Sequence, residues 1–105
     1  GRKDNIINSG GIKIQIEEVE ERLRPYLDRP YAITAAPDPR LGEAVVLLLA
    51  SNLRGEMLTE VLASLPKYLR PRHIIKVSEI PQTGSGKIDR AACRELARNI
   101  ITKTL

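Results

Sequence analysis

Short segments with paired or alternating apolar residues open the chain and are followed by a helical spacing. Residues 5–8 and 12–15 are predicted to be two short strands, and residues 12–15 alternate apolar and polar side chains. The turn between them contains Gly10 and Gly11, which tolerate the positive backbone dihedrals of a tight hairpin. The next segment places apolar residues on one helical face and glutamates on the others. We therefore predict a glycine-tipped hairpin, followed by an amphipathic helix that ends near Pro25.

The middle of the chain contains two apolar, β-prone runs. They cover residues 31–36 and 43–51, and the prolines and glycine of residues 37–42 force a loop between them. The second run contains the apolar stretch AVVLLLA and is predicted to be a central strand. Residues 74–77 can add a third strand.

Two later segments have helical periodicity. Residues 56–65 form one predicted helix, which Pro66 ends, and residues 89–101 form the other. The second helix has apolar residues spaced to pack inward: Cys93, Leu96, Ala97 and Ile100. Its arginines recur at four-residue steps and are interpreted as a solvated stripe: Arg90, Arg94 and Arg98. The pattern as a whole predicts an α+β domain, with an N-terminal two-stranded hairpin followed by a small sheet of about three strands covered by helices.

Length and composition indicate one compact domain with an aliphatic core. The chain has 105 residues, and its three aromatic residues are all tyrosines, so no base-stacking platform for nucleic acid is expected. The single cysteine, Cys93, and the single histidine, His73, predict neither an intrachain disulfide nor a metal site. No apolar run approaches the roughly 20 residues that span a bilayer, and no signal-peptide pattern is present. We therefore expect a soluble, cytoplasmic protein.

The net charge of +4 is unevenly distributed. From Pro66 onward the chain has nine lysines and arginines and three acidic residues, whereas the first 65 residues have eight and ten. Such a basic surface attracts nucleic acid, nucleotides or CoA alike. The charge therefore indicates the sign of a ligand and not its identity.

The segment PQTGSGKIDR, residues 81–90, places Lys87 on a glycine-rich turn just before a predicted helix. Gly84 and Gly86 allow the backbone to approach a ligand closely, and Asp89 is suited to cap the helix. Lys87 would be a compact positive charge with three hydrogen-bond donors, which favours phosphate or carboxylate. A solvated lysine in an ordinary turn explains the same residues.

Two glycine-rich motifs are excluded at this turn. A P-loop requires a glycine five residues before the Gly-Lys pair and a serine or threonine directly after it, where the chain has Pro81 and Ile88. A dinucleotide-binding fingerprint requires a third glycine at the position of Asp89. The turn matches neither motif.

Three motifs occur in order along the chain: GRKDNIINSGGIKIQIEEVE, PDPRLGE and PQTGSGKIDR. In order and spacing they resemble the small C-terminal domain of acyl-adenylate-forming enzymes, a family that includes acyl-CoA ligases, peptide-synthetase adenylation domains and luciferases. The resemblance covers essentially the whole chain. It implies that residues 1–105 are a mobile cap, inactive alone, and that a much larger N-terminal domain of the same protein binds most of the acid, ATP and Mg²⁺. The start at Gly1 instead of methionine agrees with a fragment.

The resemblance implies a two-step reaction. Enzymes of this family join a carboxylic acid to ATP, giving an acyl-adenylate and pyrophosphate, and then transfer the acyl group to the thiol of CoA or of a carrier protein. Lys87 matches the family's catalytic lysine, whose charge offsets negative charge in the adenylation transition state. ATP, Mg²⁺, CoA and a carboxylic acid are the implied cofactors and substrates.

The resemblance also assigns roles near the N-terminus. Asp4 matches the hinge about which the domain turns between the two steps, and Arg2 matches nucleotide-side or hinge contacts. Lys13 matches a nucleotide-binding position where many relatives have arginine. Gly10 and Gly11 would leave room for the phosphopantetheine arm, although a hairpin that simply requires glycine explains them equally well. Three glutamates receive no catalytic role, because helix solubility and the helix dipole explain them: Glu17, Glu18 and Glu20.

Within the family, DNIINSGGIKIQIEEVEERL is most similar to o-succinylbenzoate–CoA ligases of menaquinone biosynthesis, and other acyl-CoA ligases or peptide-synthetase adenylation domains are the alternatives. A hypothesis of another class is a basic module that binds RNA or an acidic protein. It would use five arginines: Arg70, Arg72, Arg90, Arg94 and Arg98. That hypothesis leaves the glycine hairpin, PDPRLGE and the Lys87 turn unexplained, and we expect no nucleic-acid partner.

Overall fold

The computed structural model describes residues 5–51 and 55–104, and these residues form one mixed sheet of five strands with three α-helices. In chain order the elements are β1 (Ile6–Ser9), β2 (Ile12–Gln15), α1 (Ile16–Leu23), β3 (Tyr31–Asp38), β4 (Gly42–Leu49), α2 (Gly55–Ala63), β5 (His73–Lys76) and α3 (Arg90–Thr104). The predicted α+β class and its N-terminal hairpin are confirmed. Within the described ranges, every helix is too short or too polar to span a bilayer.

The central strand is β4, as the apolar run predicts. It pairs antiparallel with β3 over the full length of both strands, from Tyr31 opposite Leu49 to Asp38 opposite Gly42. Its other edge is shared: β5 lies parallel to the C-terminal half, and β1 joins at Gly42 through a single bridge from Ser9. The N-terminal hairpin therefore extends the predicted three-stranded sheet at one end of β4.

Both faces of the sheet are covered, which explains why β4 is apolar without alternation. One face carries α1 and α2, whose apolar side chains surround Leu47. The other face carries α3, whose Cys93 and Ala97 are fully buried beside Val46. Cys93 is thus a core residue, as predicted, and its burial raises the pKa of the thiol to about 11.

The predicted face of α3 is correct for its first half and shifts toward its end. Leu96 is only partly buried, and Ile101 rather than Ile100 is the buried residue of the last turns. The helix begins as predicted, because Asp89 Oδ1 accepts the N–H of Ala92 at 3.0 Å.

The prediction that the three arginines of α3 form a solvated stripe is wrong for two of them. Arg90 and Arg94 have only 18% and 24% of their side chains exposed and form ion pairs with Glu20 and Glu43, whereas Arg98 is exposed. The reason is that α3 lies against β3, close to α1 and to the start of β4, so that carboxylates from both elements reach this face of the helix. Glu20 is therefore a partner inside the domain and not a solvated helix residue.

The loop predicted for residues 37–42 is shorter than expected. β3 continues through Asp38, and β4 begins at Gly42, so that three residues make the turn. Asp38 Oδ1 accepts the N–H groups of Arg40 and Leu41, both at 2.8 Å, which closes the turn and holds the pKa of the Asp38 carboxyl below its usual value. The compact turn places Leu41 beside the N-terminal hairpin.

Candidate functional site

Lys87 lies on a small closed turn. Gln82 and Ile88 form an antiparallel bridge, the N–H of Thr83 donates to the carbonyl of Lys87 at 2.7 Å, and the N–H of Asp89 donates to the carbonyl of Pro81 at 2.9 Å. These two hydrogen bonds flank the bridge and fasten the two legs of the turn to each other. The side chain of Lys87 is exposed beyond them.

One of the two glycines of this turn has the special backbone conformation that both were expected to allow. Gly86 has φ of 85°, and its N–H donates to the carbonyl of Thr83 at 3.0 Å. This is the pattern of a three-residue hairpin loop, in which a left-handed residue follows a tight turn. Gly84 lies outside the left-handed region, and a Cβ there would meet nothing within 4 Å. The position of Lys87 therefore depends on Gly86.

The turn of the hairpin between β1 and β2 is exposed like the Lys87 turn, and these two turns are called the two tips below. Gly10 and Gly11 have φ of 59° and 84°, the pair of left-handed residues that a two-residue turn requires. Gly10 faces its own domain, since its N–H donates to the carbonyl of Leu41 at 2.8 Å and a Cβ would lie 3.2 Å from Leu41 Cδ2. A Cβ on Gly11 would meet nothing within 4 Å. Packing within the described residues therefore leaves the space around Gly11 open.

A groove of about 490 Å³ adjoins this hairpin and carries the basic residues of the neighbouring loop. Three cations line it: Lys67, Arg70 and Arg72. None of them forms an ion pair with another described residue. Two apolar side chains stand at the same groove, Ile12 with 45% and Tyr68 with 53% of its surface exposed. The groove suits a ligand that combines negative charge with a flat or apolar part.

The two tips lie at opposite ends of the central hairpin of the sheet. The Gly10–Gly11 turn is next to Gly42, where β4 begins. The base of the Lys87 turn borders Pro30 and Ala50, just beyond the other end of β3 and β4. An eight-residue strand spans about 23 Å at roughly 3.3 Å per residue. The structure therefore does not bring Lys87 and the glycine turn into one site.

The remaining predicted site residues are at the hairpin end of the chain. Lys13 is exposed on β2, opposite Asn8, and therefore accompanies the glycine turn and not Lys87. Arg2 and Asp4 lie outside the described residues.

Pattern-based prediction missed the two ion pairs that join α3 to α1 and to β4. Glu20 and Glu43 are separated from their partners Arg90 and Arg94 by 70 and 51 residues. No local spacing could have paired them, because each contact depends on how α3 crosses the sheet.

The chain matches the family model of the AMP-binding enzyme C-terminal domain over residues 29–87. Triostin synthetase I of Streptomyces triostinicus is 34% identical over 103 residues, 92% of this chain and 20% of that protein. The 2-succinylbenzoate–CoA ligase of Lactococcus lactis is 35% identical over 89 residues, 83% of this chain and 20% of that protein. Among solved structures, the acyl-CoA synthetase of Brucella canis is 32% identical with a TM-score of 0.76, over 100% of this chain and 20% of that one. The chain spans about one fifth of the length of these relatives.

Proposed function

This chain belongs to the AMP-binding enzyme C-terminal domain family, and from that premise we propose that it is the mobile C-terminal domain of an ATP-dependent acid–thiol ligase. In the first half-reaction a carboxylate oxygen attacks the α-phosphorus of ATP, and pyrophosphate leaves. In the second, a thiol attacks the carbonyl of the acyl-adenylate, and AMP leaves. Lys87 serves the first step and the Gly10–Gly11 turn serves the second.

The observation that carries this proposal is the exposure of Lys87 on a closed and anchored turn. A lysine held at the end of a rigid turn can be inserted into a cleft formed by another domain without reorganising its own backbone. Its ammonium would then stand near the oxygens on which negative charge develops, and pre-organised charge of this kind lowers a transition state more than the ground state. Lys87 acts by electrostatics and positioning, and no covalent bond to its side chain forms.

The glycine turn and its groove support thioester formation on CoA. The open space at Gly11 would let a thin phosphopantetheine arm pass into the cleft. The groove beside it offers Lys67, Arg70 and Arg72 to the phosphates of CoA, and Tyr68 to its adenine. We therefore propose CoA, and not a carrier protein, as the thiol acceptor.

The opposite placement of the two tips implies that the domain turns between the half-reactions. One cleft cannot receive Lys87 and the glycine turn at once if they stand at opposite ends of β4. We assign the turning point to Asp4, which lies two residues before β1, and nucleotide-side contacts to Arg2 and Lys13. ATP and Mg²⁺ would be bound mainly by the large N-terminal domain.

We propose o-succinylbenzoate as the acid, which would place the enzyme in the cytoplasm and in menaquinone biosynthesis. The sequence of the N-terminal motif, DNIINSGGIKIQIEEVEERL, and the similarity to the Lactococcus lactis ligase support this choice. The similarity to triostin synthetase I is equally close. For this reason the acid is tested against others.

The proposal is tested on the full-length protein. Pyrophosphate release is measured with ATP and each of o-succinylbenzoate, 4-chlorobenzoate and acetate, and the first acid should give the highest kcat/KM. CoA and a phosphopantetheine-bearing carrier protein are then compared as acceptors, and CoA should be preferred.

Lys87→Ala should slow adenylation on the order of 100-fold, the loss expected for one pre-organised electrostatic group. Thioester formation from supplied acyl-adenylate and CoA should keep its wild-type rate. Lys103→Ala, which removes an exposed lysine from α3, is the matched control. Equal damage to both half-reactions by Lys87→Ala would contradict the assignment.

A further inference from the structure

Helix α3 carries two arginines one turn apart, and each is bound to a carboxylate on a different element. Arg90 forms a two-pronged pair with Glu20 of α1, with Nη1 and Nη2 at 2.7 and 2.8 Å from the two carboxylate oxygens. The side chains are 18% and 14% exposed, and Glu20 Oε2 also accepts the N–H of Ile33 at 2.8 Å. The hydrogen bonds that Arg90 donates to the Glu20 carboxylate raise the pKa of Arg90 above its ordinary value. This pair joins α3, α1 and β3.

The second pair joins α3 to the glycine hairpin. Arg94 Nη1 lies 2.6 Å from Glu43 Oε2, and its Nη2 donates to the carbonyl of Ile6 at 2.7 Å. Glu43 Oε1 accepts the N–H of Asn8 at 2.9 Å. Among the described residues, the backbone of β1 pairs with β4 at one position, where Ser9 lies opposite Gly42. Side-chain hydrogen bonds from Arg94 and to Glu43 therefore attach the β1 backbone to the sheet where a ladder of backbone hydrogen bonds is lacking.

Each pair is adjacent to one of the two tips. Arg90 is the third residue after Lys87, and the intervening Asp89 closes the turn through its N–H and caps α3 through its carboxylate. Fixing Arg90 therefore fixes the outgoing leg of the Lys87 turn. Ile6 and Asn8, in turn, belong to the strand that leads into Gly10 and Gly11. Fixing them sets the direction of the glycine turn.

Stability alone is a weak reason for such pairs. Desolvation offsets much of the attraction between charges that are mostly buried, and apolar residues of similar volume often stabilise a protein equally well. A two-pronged arginine–carboxylate contact does supply defined geometry, because its two hydrogen bonds fix both distance and direction. A turn that must enter a cleft formed by another domain has to be held in a defined position and direction, because small misplacements lower the rate.

We propose that Glu20–Arg90 positions the Lys87 turn for adenylation and that Glu43–Arg94 positions the glycine turn for thioester formation, so that α3 holds a separate positioning pair for each half-reaction. This inference rests on the proposed function. All four are positioning residues, since they act through the tips and not on the substrate.

The kinetic test uses the full-length protein with o-succinylbenzoate, its acyl-adenylate and CoA. Glu20→Gln should lower kcat for adenylation by roughly ten- to a hundredfold, the range expected when a catalytic group is misplaced. KM for ATP and the rate of thioester formation should stay near wild type. Glu43→Gln should give the reverse, a slower thioester step with adenylation preserved. Glu18→Gln makes the same change at an exposed residue of α1 and is the control for both.

A second readout requires no substrate. Hydrogen–deuterium exchange of the full-length protein, followed by mass spectrometry, compares peptides that cover residues 81–90 and 6–13. Glu20→Gln should speed exchange about tenfold in the first peptide alone, and Glu43→Gln in the second alone, as expected for local opening after loss of one contact. Equal acceleration in both peptides by either variant would overturn the proposal, because it would show a purely structural role.

The outcomes separate this inference from the proposed function. If Lys87→Ala leaves adenylation intact, the proposed function fails, and the exchange experiment still decides whether each pair holds its own tip. If Lys87→Ala slows adenylation and Glu20→Gln does not, only the positioning role fails. Should Glu20→Gln fail to fold, the double variant Glu20→Leu with Arg90→Met removes the pair without leaving a buried charge, and it should show the same selective loss of adenylation.

Discussion

Gly86 stands directly before Lys87 with φ of 85°, and its N–H closes the turn on Thr83. A residue with a Cβ in this left-handed region is destabilised by about 1 to 2 kcal/mol. Gly86→Ala should therefore lower the free energy of unfolding of the chain by about 1 kcal/mol. Gly84→Ala is the matched control in the same turn, where a Cβ meets no neighbour, and should change it by less than about 0.5 kcal/mol. Urea unfolding measures both, and equal losses would refute the role given to Gly86.

The buried thiol of Cys93 should make the free energy of unfolding depend on pH in the alkaline range. Burial raises the pKa of its thiol from 9.0 to about 11, so that the unfolded chain loses this proton at lower pH than the folded chain. The contribution of the neutral thiol is therefore complete below pH 9 and is lost as the pH rises toward 11, by up to about 2 kcal/mol.

Comparison with Cys93→Ala isolates this effect, since other groups that titrate in the range cancel. The difference in free energy of unfolding between wild type and variant should shrink between pH 9 and pH 11. If the difference stays constant with pH, folding does not raise the pKa of the Cys93 thiol.

Single residues were predictable where the pattern that defines them is local. The cap at Asp89 and the core position of Cys93 follow from neighbouring residues alone. Glu20 and Glu43 look like ordinary solvated glutamates in the sequence, because their partners lie on a helix far along the chain. Long-range contacts of this kind require the tertiary structure.

The sequence predicts which helices and strands form more accurately than it predicts where each one ends. The hairpin, the central strand and all three helices were predicted, since each has a clear period or an uninterrupted apolar run. The end of β3 was not, because proline and aspartate normally indicate a loop. Pro37 remains in the strand since pairing with β4 continues to Asp38, whose carboxylate closes the turn.

The hairpin of β1 and β2 gives a prediction for one element as a whole. Gly11→Leu should slow thioester formation roughly 100-fold, because a side chain at the open tip would displace the acyl-acceptor arm from its reactive position. Adenylation should change little, since Lys87 stands at the other end of the sheet. Gly11→Ala introduces the same left-handed strain with less bulk and is the control. If pyrophosphate release slowed instead, the hairpin would belong to the first half-reaction.

The arrangement of the whole domain could not be derived from the order of its elements. The pattern predicts a hairpin, a small sheet and covering helices, but does not show that β1 and β5 share one edge of β4. That sharing puts the glycine turn at one end of the central strand, while the Lys87 turn adjoins the other. Under the proposed function, a rotation between the half-reactions follows from this placement.

The proposed rotation leads to a prediction at Asp4. Arg94 binds the carbonyl of Ile6, so that the chain is fastened to the domain from β1 onward and any turning must occur before it. Proline at position 4 would fix φ and leave one of the two orientations out of reach. In the full-length protein, Asp4→Pro should therefore lower one half-reaction by about 100-fold, the scale of loss for misplaced groups, and leave the other near wild type. Asp4→Ala keeps a free φ and should retain both steps. Wild-type rates in both steps for Asp4→Pro would place the hinge elsewhere.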